Sequence, residues 1–151
     1  MEHIFRSPIG LIRLCGGDTL TRIDLCADSA ATASPNELFT SAERQILEYL
    51  DGKRQAFDLP FAISGTSFQL SVWNAARLIP YGETVTYGEL AQIIGKPRAA
   101  RAVGNALGSN PLPLIVPCHR IVAAGGIGGF GFGVDIKRTL LRLEGVAISN
   151  S

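Results

Sequence analysis

Cys118 and His119 are the adjacent pair best equipped for chemistry in this sequence. They sit in the run Leu112-Pro113-Leu114-Ile115-Val116-Pro117-Cys118-His119-Arg120-Ile121-Val122, which is otherwise almost wholly apolar. A thiolate is the strongest common protein nucleophile toward carbon, and a neighbouring imidazole can take the thiol proton, directly or through a water. Neighbours in an extended chain point to opposite faces, so sequence adjacency does not by itself give contact. A cysteine among apolar residues is more often a small packing residue than a nucleophile. The compact polar island Pro117-Cys118-His119-Arg120, with Asn110-Pro111 just upstream, shifts the balance toward chemistry. A cysteine hydrolase would also need an oxyanion hole and a deacylating water, and nothing beyond the Cys/His pair suggests one.

Other chemistries find less support. Three cysteines, Cys15, Cys26 and Cys118, are an odd number at irregular spacing, which argues against a disulfide framework and for a reducing compartment. With two histidines, His3 and His119, and no CxxC, no zinc site assembles. Gly126-x-Gly128-x-x-Gly131 formally matches a dinucleotide fingerprint, but no βαβ unit or acidic residue about 20 positions on can follow it. No cofactor is expected.

Pro117-Cys118-His119-Arg120 resembles the active-site motif of the O6-alkylguanine-DNA alkyltransferases. The resemblance extends in order through Ile79-Pro80-Tyr81-Gly82-Glu83-Thr84-Val85-Thr86-Tyr87, Arg101-Ala102-Val103-Gly104, Asn110-Pro111 and Leu140-Leu141-Arg142-Leu143-Glu144-Gly145. It covers residues 66 to 145, and more weakly Ser7-Pro8-Ile9-Gly10. It implies transfer of an alkyl group from guanine O6, and from thymine O4, to Cys118 in a single turnover, after the base is flipped from the duplex. His119 would be the base, Glu144 the carboxylate behind it, and Asn110 would order the Cys/His pair. Arg98, Arg101, Ala102 and Gly104 would belong to a recognition helix in the minor groove. Arg101 would fill the vacated stack, Tyr87 would crowd the adjacent phosphate and assist the guanine ring, and Arg120 would contact DNA. Pro113, Val116, Gly129, Phe130 and Gly131 would form the guanine pocket, with Pro113 leaving room for bulky O6 groups. Phe130 stands where relatives usually carry Tyr, and Gly131 where Ser is common. Alkyltransferase-like lesion sensors, the competing reading, have the cysteine replaced; Cys118 is intact.

These residues need elements to hold them. Leu11, Ile12 and Leu14, then the Cys15-Gly16-Gly17-Asp18 turn, then Leu20, Ile23 and Leu25 predict a hairpin, with Cys15 and Cys26 as packing residues. Residues 27–37 read as a loop. Thr40-Ser41-Ala42-Glu43 reads as a capping box for a helix burying Ile46, Leu47 and Leu50 and closed by Gly52. Residues 57–63 read as a strand. Thr66-x-x-Gln69 and Thr86-x-x-Glu89 are further capping boxes. The first helix buries Phe68, Val72, Ala75, Ala76 and Ile79 and ends at Pro80; Trp73 is core. A helix from Arg98 to Leu107 then gives a helix-turn-helix outline, with Arg98 and Arg101 on one face. A last helix, Val134 to Glu144, places Ile136, Leu140 and Leu143 inward.

The fold class is therefore α+β. By the resemblance, an N-terminal α/β domain, residues 1–65, would be ribonuclease-H-like, a sheet plus a helix. A C-terminal domain, residues 66–151, would be mostly helical and winged-helix-like. The chain is 46% hydrophobic and 18% charged, with no run long enough to span a membrane and no signal peptide, so a cytoplasmic protein is expected. Residues 1–67 hold six basic and nine acidic residues, net −3; residues 68–151 hold eight and four, net +4. The basic half is the half with the motifs, which fits a monomer binding double-stranded alkylated DNA, with cooperative assembly left open.

Overall fold

The structure, a computed structural model, describes residues 1–25, 27–28, 30–32 and 36–147. Cys26 lies outside the described residues, as do Ser29 and residues 33–35 of the expected loop. The chain divides into two compact units, Met1–Ile63 and Ser64–Ser151.

The first unit is a three-stranded antiparallel meander with one helix. Strands β1 (Glu2–Ser7), β2 (Gly10–Gly16) and β3 (Leu20–Asp24) pair in that order. The sequence pointed to β2 and β3 but not to β1, whose buried His3, Ile4 and Phe5 are consecutive and so carry no period-two signal. The Ser7-Pro8-Ile9-Gly10 turn joins β1 to β2: Ser7 Oγ donates to the Gly10 carbonyl at 2.6 Å, and Gly10 takes φ +109°. Helix α1 (Glu37–Leu50) buries Phe39, Ala42, Ile46 and Tyr49. Its cap is Asn36, whose side chain accepts from the Leu38 amide at 2.7 Å, not the expected Thr40 box. Glu43 does not reach back; it pairs with His3 at 2.8 Å. The 57–63 segment makes a single parallel bridge, Phe61 to Leu20, in place of a strand. Pro60 has no N–H to extend the pairing.

The second unit is helical. Helix α2 (Ser67–Ala76) opens with the complete Thr66/Gln69 box, and α3 (Tyr87–Ile93) with the complete Thr86/Glu89 box. Helix α4 (Ala100–Gly108) packs on both, and the Trp73 indole donates to the Ala106 carbonyl at 2.8 Å. Because Lys96-Pro97-Arg98-Ala99 closes as a turn (Ala99 N to Lys96 O, 2.9 Å), α4 starts two residues later than expected. Arg98 therefore sits in the exposed turn and does not share a helix face with Arg101. Short strands β4 (Val85–Thr86) and β5 (Ile121–Val122) pair in parallel, tying the start of α3 to the chain just beyond Cys118. Helix α5 (Val134–Leu143) turns inward Lys137, Leu140 and Leu141, and the buried Glu144 follows as its C-cap, whereas Ile136 and Leu143 are half-buried. The stripe has the spacing of an amphipathic helix, but a cation and an anion occupy its two ends. Among the described residues no helix is long and apolar enough to cross a membrane.

Candidate active site

Cys118 opens a single 3-10 turn, Cys118–Arg120, and is 7% exposed. Asn110, just after α4, ties it to the loop that precedes it. Its Nδ2 donates to the Val116 carbonyl at 2.9 Å and to Cys118 Sγ at 3.2 Å, while its Oδ1 accepts from the Leu112 amide at 2.9 Å. The intervening loop is stiff: Pro111, Pro113 and Pro117 each fix a φ angle. Leu114 is held at φ +77°, a left-handed conformation that costs a side-chain-bearing residue roughly 1–2 kcal/mol. The surrounding contacts therefore over-determine where the sulfur sits.

Behind the sulfur lies a buried charge cluster. His119 Nε2 is 2.7 Å from Glu144 Oε2. Arg120 holds the same carboxylate with Nε at 2.8 Å and Nη2 at 3.0 Å, and its Nη1 donates to the Ile79 carbonyl at 2.8 Å. The Gly82 amide donates to Glu144 Oε1 at 3.0 Å. Burial alone would raise the Glu144 carboxyl, but the bonds from His119, Arg120 and Gly82 overturn it and hold the group well below the usual carboxylate range. An ionised carboxylate only accepts, so His119 Nε2 carries the hydrogen and Nδ1 the lone pair. Burial lowers the His119 imidazole from its ordinary value, with Glu144 opposing and Arg120 and Lys137 reinforcing. Burial raises the Cys118 thiol, against the Asn110 bond and the Lys137 ammonium. The resting pair is thus a thiol and a neutral imidazole.

The sulfur faces a cleft of about 190 Å³ lined by Tyr87, Gly104, Leu107, Gly108, Gly129, Phe130 and Gly131. Lys137, fully buried, donates to the Ile121 carbonyl at 2.7 Å and the Gly129 carbonyl at 2.9 Å, joining the nucleophile segment to the glycine loop. Burial lowers its ammonium to about 8. Gly128 takes φ +77°, and a Cβ there would fall 2.7 Å from the Tyr87 hydroxyl, so the loop can approach the ring only as glycine.

Comparison with known proteins assigns both units to one family. Residues 67–146 match the model of the 6-O-methylguanine DNA methyltransferase DNA binding domain, and residues 1–63 that of its ribonuclease-like domain. The chain belongs to the 6-O-methylguanine DNA methyltransferase family. A Methanosarcina acetivorans protein named methylated-DNA–protein-cysteine methyltransferase is 47% identical, over 94% of this chain and 96% of its own length. A crystal structure of Mycobacterium tuberculosis OGT in complex with DNA superposes with a TM-score of 0.86 at 44% identity, covering 95% of this chain and 91% of that one. Schizosaccharomyces pombe Atl1, solved with damaged DNA containing O6-carboxymethylguanine, is 34% identical over 58% of this chain and 84% of its own, with a TM-score of 0.52.

Within this family member the structure brings Cys118, His119, Asn110 and Glu144 into one network, and places Tyr87, Gly104, Gly129, Phe130 and Gly131 on the cleft. Arg98, Arg101 and Ala102 are exposed along the helix-turn-helix and are not among the residues lining the cleft. Three expectations change. Pro113 and Val116 are buried and bridge each other, and neither is among the residues lining the cleft. Arg120 is 8% exposed and gives its donors to Glu144 and Ile79, which removes it from any phosphate. Leu107, Gly108 and Lys137 were not anticipated from the sequence. Nothing local in the sequence singles out Lys137, whose partners are backbone carbonyls.

Proposed function

We propose that this chain repairs double-stranded DNA by transferring an alkyl group from guanine O6 to its own Cys118, irreversibly and once per chain. The observation that carries this reading is the sulfur itself, set at the cleft beside a neutral histidine that is backed by a buried carboxylate. The thiol gives its proton to His119. Sγ then bonds to the alkyl carbon as the carbon–O6 bond breaks, and the electron pair leaves on the guanine, which is reprotonated. Burial raises the Tyr87 phenol, so it remains protonated, and it can donate to the ring as charge develops there. Among the described residues the thioether product meets no group able to cleave a C–S bond, so the alkylated chain is spent.

The target must leave the stack to reach a buried sulfur, and the cleft opens next to α4. We place α4 in the minor groove, whose degenerate code suits a protein that must act in any sequence. Arg101, exposed in the first turn of α4, would enter the gap, where a planar guanidinium can stack and still donate. Thymine O4 presents the same alkyl-oxygen bond and is a second substrate in this reading. The protein acts as a monomer, in the reducing compartment that its odd cysteine count suggests. The test mixes the protein with a duplex holding one O6-methylguanine and digests the DNA to nucleosides. Conversion to guanine that stops at one equivalent per chain supports the reading; continued turnover, or no conversion, refutes it.

A further inference from the structure

Arg120 carries a permanent charge into the interior without touching the cleft, and that placement asks for a reason. Its fork covers one side of the Glu144 carboxylate while His119 takes the other. The turn after α2 closes over it: the Tyr81 ring centroid is 5.7 Å from the guanidinium carbon, and the Tyr81 hydroxyl donates to the Leu143 carbonyl at 3.3 Å. Gly82 takes φ +81° there, and a Cβ would meet the Glu144 carbonyl at 3.2 Å. The titratable and charged groups facing His119 are Glu144 and Lys137 from α5 and its C-cap, and Cys118 and Arg120 from its own turn. Tyr81 faces Glu144 and Arg120.

A lone carboxylate beside a buried imidazole would draw a proton onto it, and the two would stand as an ion pair. A histidine already protonated cannot take the thiol proton. With Arg120 present, Glu144 is neutralised before His119 is counted. A proton on His119 at rest would then be an uncompensated buried charge, near a second buried cation, Lys137. We infer that Arg120 is a positioning residue for the transfer: it clamps and neutralises Glu144 so that His119 stays an uncharged base until Cys118 gives up its proton. This rests on the transfer reading above. The step itself is balanced. Thiolate and imidazolium form together with no change in net charge. Loss of the thiolate to the thioether leaves the imidazolium unpaired, so its proton passes on toward the departing guanine.

The experiment measures single-turnover alkylation of the whole chain by a saturating O6-methylguanine duplex, from about pH 5.5 to 9, for the unsubstituted protein, Arg120→Met and Arg120→Lys. Arg120→Met should move the acid limb of the profile up by about one unit or more. That is a roughly tenfold loss at pH values below the limb, recovered at about pH 9. Arg120→Lys keeps the charge and should keep the acid limb in place, even if the lost fork lowers the rate at every pH. A uniform loss in Arg120→Met with an unmoved limb would reduce Arg120 to a structural role and overturn the inference. Nitrogen-15 imidazole NMR of the unsubstituted protein, which needs neither DNA nor a folded variant, reads His119 directly. A neutral Nε2–H tautomer at about pH 6.5 supports the inference, and an imidazolium overturns it. Failure of the unsubstituted protein to alkylate at any pH would sink the transfer reading, while the NMR result would still decide the resting charge of His119.

Discussion

Replacing Glu144 by Gln keeps the size of the side chain and removes one charge from the centre of the buried cluster. The carboxylate accepts from His119, twice from Arg120 and from the Gly82 amide, and its side chain is fully buried. An amide offers one accepting oxygen and turns an NH2 toward a donor. Arg120 would remain buried with no anion beside it. Breaking a buried ion pair by removing one partner costs about 3–5 kcal/mol. His119 can relax by exchanging tautomers, so the lower end, about 3 kcal/mol, applies. With m about 1–3 kcal/mol/M, the urea midpoint should fall by about 1–3 M. The chain has one tryptophan, Trp73, buried in α2 of the same unit, so its fluorescence reports the unfolding of the unit that holds the cluster. The transfer rate at neutral pH should fall by about 100-fold, the lower end of a general-base contribution. A destabilisation below about 1 kcal/mol would mean that Arg120 does not depend on this carboxylate, and the account of the cluster would be wrong.

Stability should decline on acidification from about pH 6.5. The lowered His119 binds fewer protons folded than unfolded, so stability is lost as pH falls through the unfolded value of about 6.5 toward the folded one. The depressed Glu144 adds a second loss beginning near its unfolded value of about 4.3. Urea titrations at stepped pH should show both losses, and Glu144→Gln should abolish the second; a profile flat from about pH 7 to 5 would contradict the burial of His119, and no further loss below about pH 4 would contradict the bonded carboxylate of Glu144. Gly128→Ala forces a Cβ against the Tyr87 hydroxyl at a positive φ, and should lower the transfer rate at least tenfold with little loss of duplex affinity. Wild-type kinetics in that variant would show that the loop does not shape the cleft. Arg101→Ala should weaken duplex binding and reduce its salt dependence by about one ion. An unchanged slope in fluorescence anisotropy would take Arg101 off the DNA.

Legibility in the sequence followed the range of the interactions. The Thr66 and Thr86 boxes could be read because cap and partner lie three residues apart and answer only to each other. Thr40 and Glu43 have the same spacing but form no box, because the helix is already capped at Asn36, whose carbonyl takes the Thr40 hydroxyl, and Glu43 pairs with His3, forty residues away. The Cys118–His119 pair was visible from the residues themselves. Glu144 and Asn110 came from the family resemblance, since no local pattern ties Glu144 to a histidine 25 positions earlier. Arg120 was misplaced for the same reason. An arginine in a basic half looks like a phosphate ligand until its partners are seen, and here they lie 24 and 41 residues away. Lys137 was hidden by the ordinary rule that lysines face water. Its partners are backbone carbonyls, which carry no sequence signature.

In the reaction proposed above, Cys118 itself receives the alkyl group. Peptide mass spectrometry, after incubation with a duplex containing one O6-methylguanine, tests it without inference from rates. One added CH2 should appear, confined to the peptide containing Cys118, saturating at one per chain and absent when Cys118 is replaced by Ser in a protein that still binds the duplex. An added CH2 on Cys15 or Cys26, or undiminished transfer in the Cys118→Ser protein, would contradict it.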